Sequence, residues 1–144
     1  SIVDQSPVGT DNPLQIEYGA AQGSGSDPVQ ISAAGAVTIN TTGRYRFSFF
    51  VQYGRAGAGS VSWLFFRLLV DSNQVGNTIL AKLDDSNDDL PVQFEVTLNM
   101  TAGQVLTTEF YRDSQGNNSG DLVSESPTLG WNNNPSAAVT VTKE

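Results

Sequence analysis

The chain contains no cysteine and no histidine. It therefore has no disulfide and no thiolate metal site, and it lacks the side chain that most often serves as general base, metal ligand or pH switch. A reactive serine would have no histidine to take its proton, and no Gly-x-Ser-x-Gly segment occurs. We expect no enzyme activity, no catalytic residues and no cofactor. The missing disulfides also favour a bacterial or viral source over a secreted animal domain.

Positive charge is scarce as well. The chain has 7 Lys and Arg residues against 15 Asp and Glu residues, which gives a formal net charge of −8. Nucleic-acid binding needs a cationic stripe that releases counterions from phosphates, so no nucleic-acid partner is expected. No apolar run reaches the roughly 18 residues of a membrane span, which predicts no integral membrane segment. The chain starts at Ser1 without a signal peptide, so we expect a processed product or an excised fragment.

Short alternating segments dominate the rest of the chain, and convincing helical spacing is absent. Clusters of Gly, Asn, Asp and Pro separate these segments. The pattern predicts one all-β sandwich or jelly roll of about eight to ten antiparallel strands. Residues 1–28 are predicted to be a lead-in with a first strand, where an upstream stalk would join, and residues 29–144 the folded domain. The predicted strands are 14–18, 29–32, 36–39, 44–53, 61–70, 78–83, 92–99, 105–112, 127–131 and 137–142.

Residues 61–70 are apolar on both faces of the predicted strand. A strand alternates its side chains between two faces, and a one-sided sheet in water should show one polar set. Here both sets are apolar, so one face should meet the core and the other a second subunit. The first set is Leu64, Phe66, Leu68 and Val70; the second is Val61, Trp63, Phe65, Arg67 and Leu69.

Arg67 interrupts that second set. A buried guanidinium has to be paired and hydrogen-bonded. We expect a carboxylate partner, Glu109 or Glu95, within the subunit or across an interface; the alternative is a small anionic ligand held between subunits. Arg44 and Arg46 share one face of their strand and are candidates for the same role.

Two segments resemble the tumour necrosis factor-like superfamily, which includes the globular heads of complement-type proteins. Gly43-Arg44-Tyr45-Arg46-Phe47 is similar to its Gly-x-Tyr-x-Phe segment, and Met100-Thr101-Ala102-Gly103-Gln104-Val105 to its Leu-x-x-Gly-Asp-x-Val turn, with Gln104 in place of Asp. The resemblance covers about residues 29–142 and implies a homotrimer of jelly rolls with aromatic strands around the three-fold axis. The implied core and trimer-interface residues are Tyr45, Phe47, Phe49, Trp63, Phe65, Arg67 and Leu69.

A narrower resemblance is to the knob domains that end bacteriophage tail needles and tail fibres. It rests on the missing Cys and His, the low charge, and the segments Asp113-Ser114-Gln115-Gly116-Asn117-Asn118-Ser119-Gly120 and Gly130-Trp131-Asn132. It implies a virion protein at the tail tip, extracellular after release, on an upstream coiled-coil stalk of the same polypeptide. Such a knob contacts a host cell-surface molecule and helps to control genome ejection.

Contacts with a host are expected on loops 54–60, 84–89 and 113–126, because binding residues concentrate on loops over rigid scaffolds. Trp131 is the best candidate for a ring that touches a glycan. The acidic loop residues Asp84, Asp85, Asp88 and Asp89 are candidate surface contacts and weak calcium ligands, since they supply oxygen but lack the glycine and the twelfth acidic residue of a helix-flanked calcium loop.

Two other classes of function remain as alternatives. A carbohydrate-binding module or adhesin would share this sandwich, and would need Trp131 or an aspartate for sugar. The weakest alternative is an enzyme, such as a cupin-like oxygenase or a glycosidase. A cupin-like oxygenase needs histidine ligands, and a glycosidase needs a correctly spaced pair of carboxylates.

Overall fold

The computed structural model describes residues 1–55, 61–84 and 88–144 of the chain. Within these ranges every regular element is a β-strand, and no helix is long and apolar enough to cross a membrane. The strands are β1 (Leu14–Gln15), β2 (Val29–Ile31), β3 (Val37–Ile39), β4 (Gly43–Arg55), β5 (Ser62–Val70), β6 (Asn73–Leu83), β7 (Leu90–Met100), β8 (Val105–Arg112), β9 (Gly120–Leu122) and β10 (Ala137–Lys143).

The strands form two sheets whose pairings are all antiparallel. The six-stranded sheet has the order β2-β3-β8-β5-β6, with β1 also on β8. The four-stranded sheet has the order β10-β4-β7, with β9 also on β4. Because β4 to β5, β6 to β7 and β7 to β8 each cross between the sheets, the fold is a jelly-roll sandwich. The predicted all-β jelly roll is confirmed.

The core lies between the sheets and is built on β4. Its alternate residues Tyr45, Phe47 and Phe49 are at most 1% exposed. The ring of Phe49 lies 6.4 Å from the ring of Phe66 in β5, across the sandwich, and 5.0 Å from that of its cross-strand partner Phe94 in β7. Burial of each such side chain contributes roughly 1.5–3 kcal/mol. The three aromatic residues assigned to core or interface on β4 therefore belong to the core of a single chain.

Strand β5 divides its side chains as the alternation predicts. Leu64, Phe66 and Leu68 are at most 6% exposed and belong to the core. Trp63, Phe65 and Arg67 point to the other side of the six-stranded sheet, hereafter its outer face, and are half-buried. The outward side chains therefore keep exposed surface in the single chain.

The N-terminal segment packs onto the sandwich. Ile16 and Tyr18 are 0% and 7% exposed and belong to the core. Gln5 forms a β-bridge with Leu122 of β9. The side-chain amide of Gln5 donates to the carbonyl of Glu17 at 2.9 Å and accepts the backbone N–H of Glu17 at 2.8 Å. Part of the predicted lead-in thus supplies core side chains, while the boundary at residue 28 stays a prediction.

Four of the predicted strand assignments are wrong. The first strand, predicted for 14–18, ends at Gln15. No strand occurs at 127–131: the N–H of Gly130 bonds the carbonyl of Pro127 at 3.3 Å and Gly130 has a φ of 73°, so the segment is a turn. Strand β9 lies where a loop was predicted, because it pairs with the end of β4. Strand β6 begins at Asn73, five residues before the prediction, since Asp71 and Ser72 alone make the turn from β5.

Candidate functional site

Several connections between strands lie together at one end of the sandwich, hereafter the loop end. Strand β4 ends there and β5 begins there. The connections 113–119 and 123–136 lie there as well, beside the described residues of the connection 84–89. Of the predicted contact loops, residues 56–60 and 85–87 lie outside the described residues, and Gly54 and Arg55 continue β4 instead of starting a loop. The strand pairs that fix this end are Tyr53–Leu90, Tyr53–Leu122, Val51–Ala137, Leu64–Arg112 and Ser62–Leu83.

The opposite end carries the short turns 40–42, 71–72 and 101–104, together with part of the connection 16–28, whose Ser24 and Asp27 carbonyls accept the side-chain amide of Asn40 at 3.2 and 2.9 Å. The N–H of Ala102 donates to the hydroxyl of Thr42 at 3.0 Å, which links two turns. Asp71 donates its N–H to the carbonyl of Val105 and accepts the N–H of Val105 on its carboxylate, at 2.9 and 3.0 Å. The longest connection between two strands, 123–136, lies at the loop end, and binding residues concentrate on long surface loops, so the loop end is the candidate surface for recognition.

Trp131 lies in the connection 123–136, whose two legs are hydrogen-bonded to each other. The hydroxyl of Ser124 donates to the carbonyl of Asn134 at 2.7 Å, and the N–H of Glu125 donates to the side-chain oxygen of Asn134 at 2.6 Å. Beyond these legs Leu129 and Trp131 are 78% and 73% exposed. The loop thus holds two large apolar side chains in water, next to the turn at Gly130.

The acidic loop contributes carboxylates to the loop end. Asp84 and Asp89 are exposed, and the Asp88 carboxylate accepts the N–H of Asp84 at 2.9 Å. Asp85 lies outside the described residues. Across residues 1–55, 61–84 and 88–144 no three His, Cys, Asp or Glu side chains are grouped to hold a metal, and the weak calcium assignment stays a prediction.

Arg112 and Asp121 form a buried ion pair near the loop end. Their side chains are 9% and 5% exposed. The guanidinium also donates to the carbonyls of Gly120 and Pro7, at 2.5 and 2.8 Å. Sequence reasoning missed this pair, although Arg112 shares the alternation of the buried residues of β8, Leu106, Thr108 and Phe110. Because it holds the N-terminal segment and β9 against β8, we assign it a structural role.

The outer face of the six-stranded sheet carries Arg67 opposite Glu109. The Nε and Nη2 atoms of Arg67 donate to Oε2 of Glu109 at 2.9 and 2.7 Å. Of the two carboxylates considered for Arg67, Glu109 is therefore the partner, within one chain, while Glu95 accepts a hydrogen bond from Ser48 at 2.7 Å. An intersubunit ligand at Arg67 stays a prediction.

Aromatic rings flank this ion pair. The rings of Phe65 and Tyr111 stack with centroids 5.6 Å apart, and the Lys82 ammonium lies 3.7 Å from the ring centre of Trp63. Leu69 is 6% exposed and lies outside the core cluster. The outward residues of β5 thus find partial cover inside the chain, and their place in a trimer interface stays a prediction.

Arg44 and Arg46 meet one carboxylate on the four-stranded sheet. Their Nε atoms lie 3.2 and 3.5 Å from the carboxylate oxygens of Glu144, and their side chains are 62% and 45% exposed. Exposed pairs of this kind contribute about 0–1 kcal/mol. The two arginines therefore form a surface network, and their assignment to an intersubunit site stays a prediction.

The sandwich is open along the side where β6 and β7 form the sheet edges, hereafter the open edge. Val75 and Ile79 of β6 and Phe94 and Val96 of β7 line a groove there and are only half-buried, although they pack against the core. The opposite side, between β2 and β10, has a second groove of mixed character, lined by the polar side chains of Gln22 and Thr140 as well as by Val29, Ile31, Val139 and Val141. Apolar surface in continuity with a core is typical of a site that another protein surface covers.

Comparison with known proteins adds little to this geometry. No protein-family model matches the chain, and no curated protein matches it. Among solved structures the chain is similar to "Structure of Eiger TNF from S. frugiperda", at 12% identity over 87% of this chain and 94% of that one, with a TM-score of 0.40. The jelly-roll class follows from the strand order, and membership of the tumour necrosis factor-like superfamily stays a prediction.

Proposed function

We propose that the chain is the trimeric knob of a virion appendage, a phage tail needle or fibre, which presents its loop end to a host cell surface and helps to control genome ejection. It acts by adhesion and mechanical stability, without catalysis. The resemblance in sequence led to this idea. The observation that supports it best is the apolar groove at the open edge, together with the mixed polar and apolar groove on the opposite side of the sandwich.

The two grooves fit an assembly in which each copy contacts two neighbours. When two different patches of one subunit meet, head-to-tail contacts close into a ring if the rotation between copies allows it. The open edge and the β2–β10 groove are two such patches, and covering them would complete the burial of half-exposed side chains such as Phe94 and Val141. This arrangement leaves the outer face of the six-stranded sheet uncovered, so it departs from the sequence-based expectation that Trp63, Phe65 and Arg67 meet a second subunit.

Light scattering coupled to gel filtration tests the trimer. At micromolar concentration we expect a mass of three times 15.3 kDa. Ile79→Lys places a charge in the open edge and should give monomers, because a buried unpaired ammonium opposes association. Leu80→Lys is the matched control: Leu80 is the next residue on β6, faces outward and is 42% exposed. Monomeric wild-type protein, or equal masses for the two variants, would count against the trimer.

Binding to cell envelopes tests the adhesive role. Fluorescently labelled protein is incubated with outer-membrane vesicles from a panel of bacteria, and bound protein is sedimented. If the loop end makes the contact, Trp131→Ala should remove most of the binding to any vesicle that wild-type protein recognises, because exposed aromatic rings supply much of the contact energy at interfaces. Ala102→Ser, at the opposite end, should bind like wild type. Absence of binding across the panel would leave the carbohydrate-binding module as the better proposal, and a glycan array tests that alternative directly.

A further inference from the structure

A bulge in β6 opens the six-stranded sheet beside Arg67. Phe66 pairs with Ile79 and Leu68 pairs with Val75, so the single residue Arg67 in β5 faces the three residues 76–78 of β6. Gly76 has a φ of 73°, a value that glycine adopts without strain. Bulges commonly lie next to binding sites, where they redirect side chains. This one moves part of β6 away from β5 and leaves space on the outer face.

That space is a cavity of about 200 Å³ with the Arg67–Glu109 pair in its lining. Both hydrogen bonds of the pair use Oε2 of Glu109. Within the described part of the chain, Oε1 of Glu109 and Nη1 of Arg67 bond no other group. A ligand in the cavity therefore meets a strong acceptor beside a strong donor.

Two polar side chains of the bulge add to this set. The amide nitrogen of Gln74 donates to the hydroxyl oxygen of Thr78 at 3.0 Å and to the carbonyl of Gly76 at 3.4 Å. The amide oxygen of Gln74 and the hydroxyl proton of Thr78 are then available to a ligand. Opposite them, Phe65, Tyr111 and Pro13 supply an apolar wall.

We propose that this cavity binds one neutral pyranose unit of a glycan. A pyranose has an apolar C–H face that suits the wall of Phe65 and Tyr111, and adjacent hydroxyls that each donate and accept, as the Arg67–Glu109 pair requires. An anion would be repelled by Glu109 and by the net charge of −8, and a cation would have to displace Arg67. The volume lies below the roughly 300–1,000 Å³ of sites for drug-sized ligands, which limits the occupant to about one ring.

The site belongs to a single chain on a face that the proposed assembly leaves open. It therefore does not depend on trimer formation or on the loop end. It differs from the sequence-based candidate Trp131, which lies on an exposed loop outside this cavity.

An NMR titration tests the proposal. ¹⁵N-labelled protein is titrated with the methyl glycosides of glucose, galactose, mannose and N-acetylglucosamine. We expect at least one of them to shift the backbone amides of Phe65, Arg67, Thr78 and Tyr111 with millimolar affinity. Thr78→Val removes one hydroxyl from an exposed position and should lower the affinity for that sugar about fivefold, which is the effect of one neutral hydrogen bond.

Thr97→Val is the matched control, because Thr97 is an exposed strand threonine on the four-stranded sheet. It should leave the affinity unchanged, and the melting temperatures of both variants should stay near that of wild type. No amide shift with any of the four sugars would overturn the proposal. So would shifts confined to the loop end, or equal affinities for the two variants. The mass of the assembly, measured on the same samples, decides the trimer question separately.

Discussion

The guanidinium of Arg112 bonds the Asp121 carboxylate and the carbonyls of Pro7 and Gly120 at once, in a part of the sandwich from which water is nearly excluded. One side chain thus joins the N-terminal segment, β8 and β9. Ion pairs with this degree of burial are strongly asymmetric in energy: the pair itself adds little over apolar residues, but removing one member leaves an uncompensated charge.

Removal of one member of this pair should therefore destabilise the chain severely. We expect Asp121→Asn and Arg112→Met each to lower the free energy of unfolding by about 3–5 kcal/mol. Urea denaturation followed by tryptophan fluorescence measures this change. The double variant Arg112→Met/Asp121→Leu should recover part of the loss, because no lone charge remains buried.

Arg44→Met is the control for the same chemical change at the surface. Arg44 pairs with Glu144 at 62% side-chain exposure, so the variant should lose less than about 1 kcal/mol. Similar losses for Arg44→Met and Arg112→Met would contradict the assigned role of burial.

The sequence predicts those features that depend on alternation along one strand. The two apolar sets of β5 and the aromatic set of β4 point where a period of two places them, and these sets define both the core and the outer face. The same rule places Arg112 in the core, yet its partner could not be predicted. Asp121 ends a polar stretch without alternation, and only the pairing of β9 with β4 brings it to Arg112.

The outer-face cavity was also beyond sequence prediction. Arg67 and its partner Glu109 are foreseeable from charge, but the space beside them comes from the bulge at residues 76–78. In the sequence residues 71–76 resemble a turn, because Asp71, Asn73 and Gly76 are typical turn residues. In the structure the turn needs only Asp71 and Ser72, and the remaining polar residues become part of a strand.

The turn between β5 and β6 offers a stabilising substitution. Asp71 and Ser72 have φ values of 48° and 67°, the left-handed pair of a two-residue hairpin turn in which glycine is preferred at the second position. Ser72→Gly should raise the free energy of unfolding by about 1 kcal/mol, because it removes the Cβ from a strained position. Ser72→Ala keeps the Cβ and should change stability little. The two melting temperatures check this, and a less stable glycine variant would be contrary evidence.

Gly35 should be the least replaceable glycine at a turn. It has a φ of 82°, and a Cβ at this position would lie 1.8 Å from the carbonyl oxygen of Ile16. Gly35→Ala therefore adds a backbone clash to the roughly 1–2 kcal/mol of left-handed strain. Gly103 has a φ of 92° with open space around it, so Gly103→Ala carries the strain alone. Urea unfolding should show a clearly larger loss of unfolding free energy for Gly35→Ala than for Gly103→Ala. Equal losses would mean that residue 35 does not lie against the carbonyl of Ile16.

The buried tyrosines make the fold sensitive to alkali. Burial raises the pKa of Tyr18, against the opposite effect of its hydrogen bond with Thr108, and burial together with the charge of Tyr18 raises the pKa of Tyr53. In the unfolded chain both groups ionise near pH 10. Below that pH both states keep the phenol protons and stability is unaffected. Above it the unfolded chain binds fewer protons than the folded chain, so stability falls as pH rises towards the folded pKa values.

We expect the free energy of unfolding to fall between about pH 9 and about pH 11 by roughly 1.4 kcal/mol for each of these tyrosines. Urea unfolding at the two pH values measures the fall. Tyr18→Phe removes one titrating group, so the free energy of unfolding of this variant should fall less over the same interval. It should start from a lower value, because Thr108 loses its hydrogen-bond partner. Absorbance of tyrosinate provides an independent check on the folded protein. Ionisation of Tyr18 and Tyr53 near pH 10 before unfolding would mean that water reaches the space between the sheets.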